Sequence, residues 1–236
     1  QLGKDGNVYR QEYEKLTAAI EKFFWDEEKG AYVDSFTSGK RNVTRHANIF
    51  AILFDIADKQ KQEKILKNVL ENDEIPAITT PYFNFFELDV LCRMGKLTEV
   101  LDKIRSYWGG MLDLGAVTFW EEYDPSVPKE EQYDMYGDHF GKSLCHAWAA
   151  SPIYFLAKYF AGLDLVNKDG VTYILKPQMQ YFTELDCTLP VGSNGVMRLV
   201  WDGEILEITP NADGGILELG EQKLSLVRGE TRRVKI

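Results

Sequence analysis

The sequence contains few cysteines, and their arrangement does not suggest a metal site or a disulfide framework. Cys92, Cys145 and Cys187 are odd in number, far apart and without a Cys-x-x-Cys pair. Disulfide scaffolds and structural zinc sites require paired or closely spaced cysteines. We therefore expect buried free thiols.

The sequence also lacks a long apolar run and an excess of positive charge. No stretch approaches the roughly 20 apolar residues that span a bilayer, and no signal-peptide pattern is present. The net charge is −10, so neither nucleic acid nor a membrane surface is an expected partner. The chain starts within a polar stretch, QLGKDGNVYR, which suggests a piece of something longer.

Several common catalytic and metal-binding signatures are missing. There is no GxSxG, no phosphate-binding loop and no GxGxxG. Asp134 and Asp138 lack the spacing of calcium ligands, and His139 and His146 do not form a zinc motif. No metal and no cofactor is therefore predicted. Aromatic residues, in contrast, are plentiful, and they fill a core or line a carbohydrate pocket.

Apolar spacing divides the chain near residue 163. Before that point apolar residues recur at helical intervals. Gly95 and the pair Gly109-Gly110 are expected to end helices, and Pro152 is expected to kink one. The pattern predicts six helices, at about 9–24, 44–57, 60–70, 82–94, 97–108 and 143–160.

After residue 165 the pattern changes to alternation with β-branched residues, which predicts short strands. Asp202-Gly203 is a hairpin signal between two such strands. The seven strand segments are VTYILKP, ELDCTLP, GVMRLVWDG, EILEITP, GILELG, QKLSLV and TRRVKI. We expect a helical segment at 1–163 and an antiparallel β-sandwich domain at 164–236.

The predicted links between helices alternate between short turns and long segments. Short links make antiparallel neighbours, so the long segments gather at one end of the bundle, where sites usually lie. This alternation is typical of an (α/α)₆ barrel, whose twelve helices alternate between an inner and an outer ring. Six helices predict either half of such a barrel or a different bundle that closes on itself.

The longest predicted loop, 109–142, carries the best candidate for catalysis. In its segment GAVTFWEEYDPS, Trp120 precedes Glu121, and Asp124 follows three residues later. His146 is expected in the first turn of the next inner helix, at the same mouth. Glycoside hydrolysis needs a held carboxylate and aromatic surface for the sugar ring. The alternatives are a solvated Glu-Glu pair, a structural histidine and a core tryptophan.

At this point the segments resemble a known family. FWEEYDP followed by SLCHAWAASPIYFLAKYFAGL resembles the C-terminal barrel segment of the bacterial α-L-rhamnosidases, six-hairpin glycosidases of glycoside hydrolase family 78. RHANIFAILF and TPYFNFFELDVLCRMG look like two inner helices, and ILKPQM looks like the start of the C-terminal β-domain. The resemblance covers roughly residues 9–236.

The resemblance implies inverting hydrolysis of terminal α-L-rhamnosides by a bacterial enzyme, cytoplasmic or extracytoplasmic, with Glu121 as general base. It also implies that His146 contacts the sugar and that Trp120 shapes the pocket. The residues expected to bind substrate are Trp120, Asp124, His146, His46, Asn48 and Tyr82.

In the family the general acid lies in an Asp-rich segment of the first barrel half, which this sequence lacks. The segment alone is therefore expected to be inactive. Its exposed half-barrel face is expected to associate with the missing half or with a second copy. Two alternatives stay open: a six-hairpin glycosidase for another sugar, such as a glucosidase or glucuronyl hydrolase, and a non-catalytic carbohydrate-binding or assembly domain.

Overall fold

The computed structural model describes residues 5–166, 172–191 and 195–236. Within them, the architecture is half of an (α/α) barrel followed by a β-domain, as predicted. The six helices are α1 (Asn7–Phe24), α2 (Arg45–Leu53), α3 (Lys59–Ile65, continued by a π-helical turn at Leu66–Leu70), α4 (Pro81–Arg93), α5 (Leu97–Lys103, continued through Ile104–Trp108 and Gly109–Asp113) and α6 (Ser151–Phe155, continued by Leu156–Phe160).

The strands lie mostly at the end of the chain. Short 3₁₀ turns occupy Lys129–Glu131, Ala147–Ala149 and Met179–Tyr181. The strands are β1 (Trp25–Asp26), β2 (Ala31–Tyr32), β3 (Leu163–Leu165), β4 (Tyr173–Leu175), β5 (Leu185–Val191), β6 (Gly195–Trp201), β7 (Ile205–Pro210), β8 (Gly215–Leu219), β9 (Gln222–Leu226) and β10 (Arg232–Lys235).

Two compact units divide the chain. The first contains the chain up to Lys96 together with Tyr107–Trp148, and the second contains Leu97–Ser106 together with Ala149–Ile236. In the part of the chain that the structure describes, no helix is both long and apolar enough to span a bilayer.

Helices α2 and α4 of the first unit are joined by a buried ion pair. Arg45 Nη1 donates to Glu87 Oε1 at 2.9 Å, and the two residues are 6% and 2% exposed. The same nitrogen also donates to the carbonyl oxygen of Leu70 at 2.9 Å. The guanidinium therefore fastens the start of α2 to the middle of α4 and to the end of the turn that follows α3.

Three predicted helix ends differ from the structure. Helix α2 ends at Leu53, before Asp55, which has a left-handed φ of 56°. The prediction that Gly109-Gly110 ends α5 is wrong, because the helix continues to Asp113. A Cβ on Gly110 would lie 2.4 Å from the Tyr123 hydroxyl oxygen. The role of this glycine is therefore to leave space for the Tyr123 side chain, and it does not end the helix.

The predicted start of the last helix, at about 143, is also wrong. Helix α6 begins at Ser151, and Pro152 lies in its first turn and does not kink it. Proline has no backbone N–H, and the first-turn N–H groups have no helical partner, so proline suits this position. His146 therefore precedes the helix.

The β-domain consists of two four-stranded sheets, ordered β10-β7-β6-β5 and β3-β4-β8-β9. Side chains from both sheets form one buried core, including Tyr173, Leu217, Leu199 and Ile208, each 0% exposed. All seven predicted strand segments contain a strand, although residue 171 of the first segment lies outside the described residues. Gly203, in the predicted β6–β7 hairpin, has a φ of 96°.

One pairing departs from the antiparallel prediction. Strands β4 and β8 run parallel, with Ile174 opposite Ile216. Strand β3, which the sequence pattern did not predict, pairs antiparallel with β4 along the other edge. Parallel pairing requires a long crossover, and the chain between these two strands supplies one that contains β5, β6 and β7 of the other sheet.

Gly162, between α6 and β3, is expected to be the least replaceable glycine of this domain. Its φ is 76°, and a Cβ would lie 2.0 Å from the backbone oxygen of Lys176. Gly162→Ala should therefore destabilise the domain by about 3 kcal/mol, through left-handed strain plus overlap with backbone. Hydrogen exchange of the strand amides measures this loss.

Gly220→Ala is the matched control. Its φ is 58°, but a Cβ there would meet nothing within 4 Å. The substitution should cost only the left-handed conformation, about 1 kcal/mol. Equal losses in the two variants would show that the contact with Lys176 contributes nothing.

Helix α1 presents apolar side chains without burying any residue fully. A groove of about 480 Å³ lies between α1 and α2, lined by Tyr13, Leu16, Ile20, Ala47 and Phe50 among others. Leu16 is 62% exposed. Association through the open half-barrel face stays a prediction.

Candidate active site

Two segments, 118–121 and 143–146, are joined by main-chain hydrogen bonds and carry the candidate site. Glu121 N donates to Ser143 O at 2.9 Å, and His146 N donates to Phe119 O at 2.8 Å. The Thr118 hydroxyl donates to the carbonyl oxygen of Leu144. Main-chain pairing therefore brings positions 121 and 146 together, although they are separated by a long loop.

Glu121 is a nearly buried carboxylate, 6% exposed, with a donor on each oxygen. Ser143 N donates to Oε2 at 3.1 Å, and the Tyr136 hydroxyl donates to Oε1 at 3.0 Å. The Ser143 N–H lowers the pKa of Glu121 most, and the Tyr136 hydroxyl and the charges of His146 and Lys142 also lower it, against the opposing effect of burial. The group is thus a carboxylate at neutral pH, ready to accept a proton.

His146 lies beside this carboxylate, with Nδ1 3.9 Å from Glu121 Oε2. The predicted proximity of the two side chains is therefore present. The imidazole ring also packs on Trp148, at a centroid distance of 4.1 Å and an interplanar angle of 39°. Trp148 Nε1 donates to the carbonyl oxygen of Glu121 at 3.4 Å, which fixes the indole next to the carboxylate.

An exposed aromatic surface continues from this point. Trp148 is 43% exposed, and its ring centroid lies 5.4 Å from that of Tyr82, which is 44% exposed. Tyr82 is in the first turn of α4 and contacts Phe83, on which the ring of His46 packs at 4.3 Å. Of the predicted substrate-binding residues, Tyr82 and His146 thus border one aromatic surface, and His46 lies further along it.

Trp120 and Asp124 have partners within the protein. Trp120 directly precedes Glu121 in the chain. Its ring is 3% exposed and packs against Tyr133 at 5.6 Å. Asp124 Oδ1 accepts from both the backbone N (2.8 Å) and the hydroxyl (2.6 Å) of Ser126, so its carboxylate forms a local turn.

Asn48 is buried, and its amide group bonds within the protein. The residue is 0% exposed. Its Nδ2 donates to the carbonyl oxygens of Tyr32 (2.9 Å) and Thr44 (2.8 Å), and its Oδ1 accepts from Tyr32 N at 2.8 Å. The amide group thus holds β2 against α2, and a contact of Asn48 with substrate stays a prediction.

Sequence reasoning missed three groups that shape the site. Tyr136 and Ser143 donate to Glu121, as described above. Tyr107, 6% exposed, donates its hydroxyl to Thr79 O and accepts from Tyr123 N at 3.1 Å, which anchors the segment after Glu121. Burial raises the pKa of Tyr107, so the hydroxyl stays a donor. For Tyr136, the glycine that follows it could have indicated a turn, whereas the sequence offers no signal for Ser143 or Tyr107.

No group of three or more His, Cys, Asp or Glu side chains in 5–166, 172–191 and 195–236 is arranged to hold a metal ion. The site geometry thus consists of a carboxylate, an imidazole and aromatic rings. A carboxylate that is ionised at neutral pH can accept a proton from water, and flat rings can position a sugar.

A family model matches most of the chain. The model described as the bacterial alpha-L-rhamnosidase 6 hairpin glycosidase domain matches residues 2–160. None of the curated proteins compared with the chain matches it.

Three solved structures resemble the chain. A rhamnosidase from Klebsiella oxytoca, with rhamnose bound, is 32% identical with a TM-score of 0.57, covering 64% of this chain and 28% of that one. A family 78 rhamnosidase of Bacillus sp. GL1 is 24% identical with a TM-score of 0.71, covering 88% and 22%. The α-L-rhamnosidase from Dictyoglumus thermophilum is 20% identical with a TM-score of 0.65, covering 94% and 25%. The chain thus spans about a quarter of their length.

Proposed function

Because the chain belongs to the bacterial α-L-rhamnosidase six-hairpin glycosidases, we propose that it supplies the general base for hydrolysis of terminal α-L-rhamnosides. The observation that carries the proposal is the state of Glu121. The carboxylate is nearly buried, held by Ser143 N and the Tyr136 hydroxyl, and kept ionised by a lowered pKa. It also borders exposed aromatic surface.

In the proposed reaction Glu121 removes a proton from a water molecule. The water oxygen then forms a bond to the anomeric carbon while the bond from that carbon to the leaving oxygen breaks, with inversion. A general acid protonates the leaving oxygen. We place that acid in a part of the barrel outside this sequence, about 6.5–9.5 Å from the base as inverting chemistry requires. The 236 residues alone are accordingly expected to be inactive.

The aromatic surface suits a deoxysugar. Rhamnose has a methyl group and an apolar ring face, and Trp148 and Tyr82 offer exposed rings 5.4 Å apart next to the carboxylate. His146 presents a ring nitrogen near Glu121 Oε2, within reach of a sugar hydroxyl bound there. Support for the sugar also comes from the Klebsiella oxytoca protein, whose structure holds rhamnose.

The stereochemistry of the released sugar tests this proposal. The protein, expressed with the sequence that naturally flanks it, should cleave an aryl α-L-rhamnoside and release β-L-rhamnose first. Proton NMR of the anomeric region, recorded before mutarotation, distinguishes the two anomers. Aryl glucosides and glucuronides serve as controls. Preferred cleavage of one of these would redirect the substrate assignment, and initial release of the α-anomer would contradict the role of a base acting on water.

A further inference from the structure

The loop between the two paired segments contains a small hairpin that reaches Glu121. It spans residues 133–141, and Met135 and Asp138 pair across its tip through N–H···O bonds of 3.0 Å in both directions. Tyr136 occupies the tip, and its hydroxyl is 3.0 Å from Glu121 Oε1. We propose that Tyr136 is the positioning residue of the general base: its hydroxyl holds Oε1 while Ser143 N holds Oε2, and together they fix the orientation of the carboxylate. This inference rests on the proposed function of Glu121.

The backbone conformation at the tip disfavours tyrosine, which indicates that the Tyr136 side chain has a function. Tyr136 and Gly137 have φ values of 56° and 82°, so both central residues of the turn are left-handed. Two-residue hairpins of this kind favour Asn, Asp or Gly at the first position, because a larger side chain is strained there. Strain of this type collects at functional sites. At this tip, the unfavourable residue is the one whose hydroxyl contacts the carboxylate.

The base of the hairpin holds the tip in place. The Asp134 carboxylate lies 2.6 Å from His139 Nδ1 across the two arms. Gly141 N donates to Asp138 O at 3.2 Å, and a Cβ on Gly141 would lie 2.1 Å from Met135 O, so the returning arm packs directly on the tip. Contacts between its own two arms therefore stabilise the hairpin.

The hairpin is also anchored to the segment that carries Glu121. The ring of Tyr133 contacts Phe140 at 6.3 Å and Trp120 at 5.6 Å. Trp120 is the residue directly before the carboxylate and is 3% exposed. The rings of Phe140, Tyr133 and Trp120 thus connect the hairpin to the segment that carries Glu121. Glu121 in turn accepts the hydrogen bond of Tyr136.

The two oxygens of the Glu121 carboxylate have different partners. Oε1 accepts from Tyr136, whereas Oε2 accepts from Ser143 N and faces His146. Lys142 also lies near the carboxylate, although burial lowers the pKa of this lysine. The hydrogen bond to Glu121 raises the pKa of Tyr136 most, and the charges of Glu121 and Glu122 also raise it, so the phenol keeps its proton and donates throughout the working pH range.

The substitution Tyr136→Phe isolates the hydroxyl, because it keeps the ring and its turn preference. Without this donor the carboxylate should be easier to protonate. The acid limb of the pH profile of kcat/KM should then move upward by about one pH unit. Carbon-13 NMR of the Glu121 carboxyl should show its pKa rising by a similar amount. Tyr9→Phe is the matched control, because Tyr9 is also 81% exposed but lies on α1.

The outcomes separate the inference from the function on which it rests. An unmoved acid limb in Tyr136→Phe would overturn the positioning role, and so would a loss of rate that is equal at every pH, since that indicates a damaged turn. If Glu121→Gln is inactive while Tyr136→Phe changes nothing, only the positioning role fails. If Glu121→Gln stays active, the proposed function itself fails.

Discussion

Replacing Glu121 with glutamine is expected to lower kcat by about a hundred- to ten-thousand-fold, the usual contribution of a general base. Glutamine has the same shape, and its amide oxygen can still accept from Ser143 N, so the fold should survive. It does not accept a proton from water. The measurement is kcat on an aryl α-L-rhamnoside, with the protein expressed together with its natural flanking sequence, and amide NMR spectra report the fold.

Glu130→Gln is the control for this variant. Glu130 is exposed and belongs to the same long loop, in the turn Lys129–Glu131, so its loss of charge should leave the rate unchanged. Retained activity in Glu121→Gln together with inactivity of Glu122→Gln would contradict the assignment of the base. Retained activity in all three would place catalysis outside these carboxylates, as expected if this segment only binds carbohydrate and another part of the protein cleaves it.

Removing the carboxylate of Glu87 is expected to produce the largest loss of stability. Glu87→Ala leaves the Arg45 guanidinium buried without its charged partner, and this usually costs about 3–5 kcal/mol. Because the pair joins α2 to α4, the inner face that carries His46 and Tyr82 should loosen together with it. Urea unfolding measures the free-energy change.

Two further variants sharpen this test. Lys15→Ala removes a partner of the exposed Lys15–Glu12 pair on α1 and should leave the unfolding midpoint unchanged. The double replacement Arg45→Met with Glu87→Leu removes both buried charges and should recover most of the stability lost in Glu87→Ala. A loss in Glu87→Ala as small as that in Lys15→Ala would show that the buried pair does not hold the helices together.

Periodicity predicted the elements better than their ends. Apolar spacing located all six helices and the seven later strands, because burial of one face imposes that spacing. Helix ends depend on contacts that spacing does not report. Gly110 was predicted to end a helix, but it makes room for the packed Tyr123 side chain. Pro152 was predicted to kink a helix, but the helix begins only one residue before it.

Residues of the candidate site could be predicted only where the adjacent sequence marked them. Glu121 stood out through its adjacent aromatic residues, and the proximity of His146 followed from the loop arrangement, although His146 lies before the helix and not in it. Tyr136 was not predicted, because its contact with Glu121 spans 15 residues and depends on a turn that tyrosine disfavours. The hydrogen bonds of the Asn48 amide group to Tyr32 and Thr44 were not predictable either, because its position near the start of a helix does not show its partners.

The main-chain pairing of 118–121 with 143–146 has a consequence for how such an enzyme can change. The main-chain hydrogen bonds Glu121 N to Ser143 O and His146 N to Phe119 O hold both ends of the intervening segment, residues 122–142, in place. Residues can be added to or removed from this segment while the spacing of carboxylate and imidazole stays the same. Outside the 133–141 hairpin, whose Tyr136 contacts Glu121, the surroundings of the site can thus change while the pairing of carboxylate and imidazole is kept.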